Sequence, residues 1–183
     1  HGCILSQRLN YKDAIIFLEK AVSVSPNNYE ANNNLGIAYK NLKNHTKSEI
    51  YFKKAIFINP NEYKAYFNCA NLYIDNSQYT EAIKLLQKSL TCNELFVDAY
   101  HRIGEAYQYI FQTNRDSINL TNSLEWFARA IEKDQNYVDA YLMSGMSYLW
   151  LGDIKTADQY FKKVLALNYS NKELQQNNIV NSF

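Results

Sequence analysis

Two prolines and five glycines in 183 residues leave few places where a regular element could be broken. So small a supply of breakers argues against an all-β chain, whose strands are joined by Gly- and Pro-rich turns, and for long helices with short turns. Cysteine is equally sparse. Cys3, Cys69 and Cys92 are odd in number, far apart and without CxxC spacing, which argues against a disulfide framework and for a reducing, intracellular, cytoplasmic setting. Charge of one sign is missing too: 19 basic against 18 acidic side chains give a net charge of +1. A nucleic-acid partner would call for a basic stripe, so none is expected. No apolar run approaches the roughly 18–20 residues of a membrane span, and no signal-peptide pattern is recognisable. The sequons at Asn44, Asn119 and Asn168 read as chance products of an Asn-rich chain.

The motifs of chemistry are absent as well. There is no glycine-rich phosphate loop, no HExxH and no nucleophile with a recognisable base. Asp98, His101 and Glu105 share one helix face, but Arg102 sits among them, and His101, Arg102 and Glu105 read as polar residues of the groove. Neither catalysis, cofactor nor metal is expected.

What the sequence does have is tyrosine, 16 of them, and hydrophobic residues at 47%. It also has a puzzle in "ANNNLGIAY", Ala31 to Tyr39. Three asparagines, each costing a helix interior roughly 0.6–0.7 kcal/mol against alanine, precede a run that continues as a helix. Self-comparison gives the context. "LGIAY", "CANLY", "IGEAY" and "SGMSY" end at Tyr39, Tyr73, Tyr107 and Tyr148, and the small residues within them are Gly36, Ala70, Gly104 and Gly145. The first two steps are 34 residues and the last is 41, a repeat with seven extra residues. Downstream of each lies a second helical pattern, such as "SEIYFKKAIFINP", and an earlier copy, "KDAIIFLEKAVSVSP", sits 34 residues before that one.

A 34-residue period with two helices per unit resembles the tetratricopeptide repeat. Residues 29–62 meet that family's pattern best, with Ser48 in place of its first alanine in the second helix. The resemblance implies an all-α fold: a right-handed superhelical α-solenoid of antiparallel helix pairs, whose first helices line a concave groove. Residues 1–183 form a single array: a partial repeat at 1–28, repeats at 29–62, 63–96, 97–137 with the insert, and 138–171, then a capping or frayed tail at 172–183. The opening "HGCILSQRL" reads as half of a first helix, so a fragment of a longer protein is expected. The insert, between Tyr107 and Ser123, is long enough to lengthen both of its helices, with the second capped near Asp116 or Ser117.

Counting each repeat from Tyr29, Tyr63, Val97 and Val138, and turning about 100° per residue, positions 4, 7, 8 and 11 share the core face. Asn32, at position 4, is expected to be at least partly buried. Positions 2, 5, 6, 9, 12 and 13 fall opposite, on the face that lines the groove in this family. The candidate partner-binding residues are therefore Asn33, Asn34, Asn68, Asn71, Arg102, Tyr109, Leu142, Met143, Met146 and Trp150. Asn34 and Asn68 resemble two rungs of the amide ladder in the repeats of O-linked N-acetylglucosamine transferase, and a side-chain amide can both donate to and accept from a peptide backbone. Arg102 and Met143 interrupt the ladder. The carboxylate clamp of heat-shock co-chaperones is met only at Asn68 and Arg102, while Asp98 would repel a carboxylate. In the last full repeat Leu142, Met143, Met146, Leu149 and Trp150 make the surface apolar, and adaptable Met beside an aromatic suits a binding groove. The alternative is that the tail around Ile179 and Phe183, or the insert, covers it.

The function expected is a non-catalytic scaffold that binds a peptide or helix of a protein partner. The alternatives are a structural subunit of a multiprotein assembly or homo-oligomer, and the substrate-docking repeats of a larger enzyme.

Overall fold

A computed structural model of the chain describes residues 11–180, with side chains through Asn168. Among the described residues there are nine helices and no strand. They divide between two compact units, His1–Glu94 and Leu95–Phe183. The first unit holds α1 (Tyr11–Val24), α2 (Tyr29–Asn41), α3 (His45–Ile58), α4 (Tyr63–Asp75) and α5 (Tyr79–Cys92). The second holds α6 (Val97–Asn114), α7 (Ile118–Lys133), α8 (Val138–Trp150) and α9 (Ile154–Val180). Within the first unit α2 pairs with α3 and α4 with α5; within the second α6 pairs with α7 and α8 with α9. First helices of successive pairs also touch, α2 with α4 and α6 with α8.

Local chemistry sets the helix ends. Asn28, Asn44 and Asp153 accept hydrogen bonds from the backbone N–H groups of Ala31, Lys47 and Thr156, at 2.8, 3.1 and 3.0 Å, which satisfies donors that a helix start leaves bare. The first helices α2, α4 and α8 stop by a shared device. Lys43, Ser77 and Gly152 occupy the same place in their repeats, and all have positive φ, 60°, 60° and 83°. The next residues, Asn44, Gln78 and Asp153, donate their N–H to the carbonyls of Tyr39, Tyr73 and Tyr148 at 2.9, 2.8 and 2.9 Å. This six-to-one closure is a Schellman turn, and its acceptor is each time the repeat's signature tyrosine.

Close approach of the two helices in a pair depends on the small residue at position 8. A Cβ built on Gly36, Gly104 or Gly145 would lie only 2.4, 2.4 and 2.5 Å from the rings of Phe52, Phe127 and Phe161 respectively. The phenylalanine of the second helix thus packs directly against the backbone of the first. In the remaining pair Ala70 takes the glycine's place and Leu86 the phenylalanine's: the added methyl is matched by a smaller side chain opposite. The signature tyrosines pack beside this contact and carry a polar tip to the neighbouring second helix. Tyr39 donates to Glu19 at 2.5 Å and Tyr73 to Glu49 at 2.6 Å. Hydrogen bonds from Lys53 and then Tyr73 hold the Glu49 carboxyl below the usual carboxylate range.

The insert goes into helix. α6 has 18 residues against 13 in α2 and α4, and α7 has 16 against 14 in α3 and α5, so five and two of the seven extra residues extend the two helices and the turn keeps three. α7 begins at Ile118, whose N–H is accepted by Asp116 at 3.1 Å. α9 runs 27 residues and passes the repeat end expected at 171 without a break. Phe183 and the side chain of Ile179, invoked as a cover for the apolar surface, lie outside the described residues.

Two outcomes are expected in urea unfolding. Gly36→Ala loses about 1–3 kcal/mol by overpacking against Phe52, and adding Phe52→Leu recovers part of that loss, a coupling that a double-mutant cycle measures. Ser77→Gly gains about 1 kcal/mol by relieving a left-handed backbone that costs an L-residue roughly 1–2 kcal/mol.

Candidate functional site

The first-helix face of the first unit is an arrangement of amides. Asn32 is fully buried, and its Nδ2 donates to the carbonyls of Asn28 and Pro26 at 2.7 and 3.1 Å. It serves the turn that enters α2, at the cost of a buried Oδ1 without a hydrogen-bond partner. Asn33, expected to line an open groove, is instead buried, and its Oδ1 accepts from Asn68 Nδ2 at 3.1 Å. The reason is geometric. Position 5 faces sideways onto the next first helix, so its polar group is used in stacking α4 on α2. Asn71, also expected in the groove, is buried too, with its Oδ1 unpartnered. Asn34 and Asn68 are half-buried and keep part of their surface open.

In the second unit α6 carries the charges. Arg102 Nη1 lies 2.8 Å from Glu105 Oε2, so the two neutralise each other, and Arg102 remains half-exposed. His101 is buried between the rings of Phe127 and Tyr137, with centroids 5.6 and 5.4 Å away. Its Nδ1 is 3.7 Å from Glu105 and its Nε2 has no partner. Burial holds the imidazole below its ordinary pKa, against the raising influence of Glu105 and Asp139. Tyr137, from the turn into α8, donates to Asp98 at 2.7 Å, and burial followed by that bond raises its own pKa. Among the described residues no group of His, Cys, Asp or Glu is placed to hold a metal ion.

A second polar connection joins α6, α7 and α8 in the interior. Gln108 Nε2 donates to the Met143 carbonyl and to Ser147 Oγ, both at 2.9 Å. Ser147 in turn shares a 2.8 Å bond with Ser123, whose hydroxyl donates to the Leu120 carbonyl at 2.7 Å. The Gln108 Nε2 and both serine hydroxyls are thus hydrogen-bonded, which offsets the cost of burying them.

Along α8 the surface becomes apolar. Met143 and Met146 are half-buried, while Leu142, Leu149 and Trp150 are exposed. The extension of α6 contributes directly: Phe111, within the lengthened turn of helix, stacks on Trp150 at 5.9 Å with planes 27° apart, and the Arg115 guanidinium lies over the Phe111 ring at 5.8 Å. Tyr109 is half-buried two residues earlier. Of the ten candidate residues, the structure therefore brings Asn33 with Asn68 together in one unit, and leaves Met143, Met146 and Trp150 along one helix in the other. Sequence reasoning missed Gln108, Phe111 and Tyr137. The only signal for Gln108 was its position 12, shared with Leu149.

Family models described as tetratricopeptide repeat match residues 1–28 and 29–62, 51–84, and 139–171. Among solved structures, a crystal structure of MamA is 22% identical, with a TM-score of 0.80 over 94% of this chain and 96% of that one. The structure described as MamA 41-end from Desulfovibrio magneticus RS-1 is 23% identical, with a TM-score of 0.79 over 92% of each chain. YrrB, described as a TPR protein with an unusual peptide-binding site, is 19% identical, with a TM-score of 0.70 over 91% of this chain and 82% of its own. No curated protein sequence matches. These likenesses give the fold class, an all-α solenoid of paired helices. No helix among the described residues is long and apolar enough to cross a membrane.

The buried imidazole yields a pH expectation. His101 binds its proton more weakly folded than unfolded, so its contribution is unimpaired above the unfolded pKa near 6.5 and is lost as pH falls from there toward the depressed folded value. The wild-type chain should lose stability over that window, and His101→Gln should lose less, as urea midpoints at pH 7.5 and 5.5 will show.

Proposed function

The chain belongs to the tetratricopeptide repeat family, and on that footing we propose that it is a non-catalytic protein-interaction scaffold, which binds a peptide or helix of a protein partner on its first-helix faces. The observation that carries this reading is the surface of α8, where Met143, Met146 and Trp150 lie partly open beside the stacked Phe111. Apolar side chains grouped at a solvent-facing surface mark interaction sites, and thioethers adapt to the shape of what they meet. Trp150 is held by Phe111, so the aromatic anchor is ordered before a partner arrives, which lowers the entropic cost of binding. Arg102 and Tyr109, on α6 of the same unit, would supply polar contacts that fix register; Asn34 and Asn68 offer amides on the first-helix face of the other unit. The described peptide-binding site of YrrB supports a peptide ligand for a chain of this fold. A cytoplasmic setting fits the free thiols of Cys69 and Cys92.

The insert acquires a role in this reading. Its five residues on α6 raise Phe111 against Trp150 and form a wall at one end of the apolar surface.

Quantitative co-purification from the native cell tests the proposal, with the wild-type chain compared against the Met143→Glu, Met146→Glu pair. A partner lost from the variant, with the thermal midpoint shifted by no more than a few degrees, is the expected outcome. An unchanged partner list rejects the α8 surface as the binding site.

A further inference from the structure

The outer face of the second helices can be compared position by position, because the repeats recur in register. Positions 22, 26 and 29, spaced i, i+4, i+7, share the side of a helix that points away from its partner. In the first unit they are Ile16, Lys20 and Ser23 on α1, Ile50, Lys54 and Phe57 on α3, and Lys84, Lys88 and Thr91 on α5. Lys54 is half-buried and the other eight are exposed. Ile16, Ile50 and Phe57 stand 65%, 58% and 85% open. None of the nine is acidic.

The second unit shows the same positions with their charge engaged. On α7 they are Glu125, Arg129 and Glu132, and Arg129 Nη2 lies 2.5 Å from Glu125 Oε1. On α9 they are Gln159, Lys163 and Ala166, and the Lys163 ammonium lies over the Tyr141 ring at 5.8 Å. Among the described residues no carboxylate and no ring engages Lys20, Lys54, Lys84 or Lys88. Glu19 and Glu49, on the flanks of α1 and α3, accept instead from Tyr39 and Tyr73. Along α5 the two lysines border a cavity of 490 Å³, which Leu85, Gln87 and Thr91 also line.

We infer that the outer face of α1, α3 and α5 docks on the surface of an anionic lipid bilayer. Two independent features of the face meet that partner. Four lysines without counter-ions reach the number at which basic clusters recognise acidic headgroups, and the cavity beside Lys84 and Lys88 has room for one such headgroup. Phe57, Ile50 and Ile16 stand among them at a height where they enter the boundary between headgroups and acyl chains. A nucleic acid or an acidic polypeptide would use the lysines and give those three side chains nothing to do. The contact lies on second helices, so the first-helix faces stay open, and it stands whether or not Met143 and Met146 bind a peptide. The chain would then hold its protein partner at a membrane that no part of this face needs to cross.

Co-sedimentation of the purified chain with lipid vesicles provides the test. Vesicles of phosphatidylcholine with about 30% phosphatidylserine should carry the chain down, and vesicles of phosphatidylcholine alone should not. Lys88→Gln should weaken the apparent affinity by about 5-fold, the share of one lysine at an anionic surface. Arg129→Gln removes the same charge at the equivalent position of the second unit and should leave the affinity unchanged. Phe57→Ser should weaken it by about 10-fold through lost apolar burial. All three residues are exposed, and circular dichroism checks that each variant is folded. A chain that stays in solution with both kinds of vesicle overturns the inference, as does an affinity that falls as far for Arg129→Gln as for Lys88→Gln. A Phe57→Ser variant that binds as tightly as the wild type also overturns it, and points to a polyanion such as an acidic polypeptide as the partner of the lysines.

Discussion

The contact on which everything else rests is a phenylalanine ring lying on the bare backbone of a glycine. At Gly36, Gly104 and Gly145 the first helix offers no Cβ, and the second helix settles against it through Phe52, Phe127 and Phe161. That approach sets the separation of the pair, and the separation decides where the signature tyrosine sits. Tyr39 and Tyr73 fill the adjoining space, extend a hydroxyl to a glutamate on a neighbouring helix, and give their carbonyls to the turn. Packing, capping and chain reversal within a repeat are consequences of one close contact.

With the pair fixed, each first helix has a side toward the next pair and a side toward solvent. The side toward the next pair is where the two units differ. The first unit stacks α4 on α2 with an amide pair, and the second stacks α8 on α6 with a glutamine, two serines and the ring of Tyr137 against His101. These polar contacts specify a register that apolar packing alone would leave loose, since an unmatched buried amide costs more than the bond contributes. The solvent side carries Asn34 and Asn68 in one unit and Met143, Met146 and Trp150 in the other.

Much of this was legible in the residues. The 34-residue step between Gly36, Ala70 and Gly104 carried the helix pairs, and the seven extra residues with a cap near Asp116 or Ser117 carried the early start of α7. The three asparagines that opened the question in "ANNNLGIAY" separate by angle as expected for Asn32, which is buried, and Asn34, which keeps some open surface. Asn33 and Asn71 did not. A rotation of 100° per residue divides a helix into core and non-core sides, yet stacking against a neighbouring repeat takes a share of the non-core side that no single-helix projection contains. Phe111 was hidden for another reason: its importance comes from five residues of added helix bringing it level with Trp150, and the sequence does not say how the seven extra residues divide between α6 and α7.

The exchange of Gly and Phe for Ala70 and Leu86 has a bearing on how such a chain diverges. After duplication, copies of a repeat are free to drift, but neither member of this pair can change alone without a clash or a void. Substitutions there must arrive as couples, through a weakened intermediate. The second complete repeat holds the Ala and Leu couple where its neighbours hold Gly and Phe. What the repeats hold in common at this contact is thus a matched volume across facing residues, more than the identity of either one.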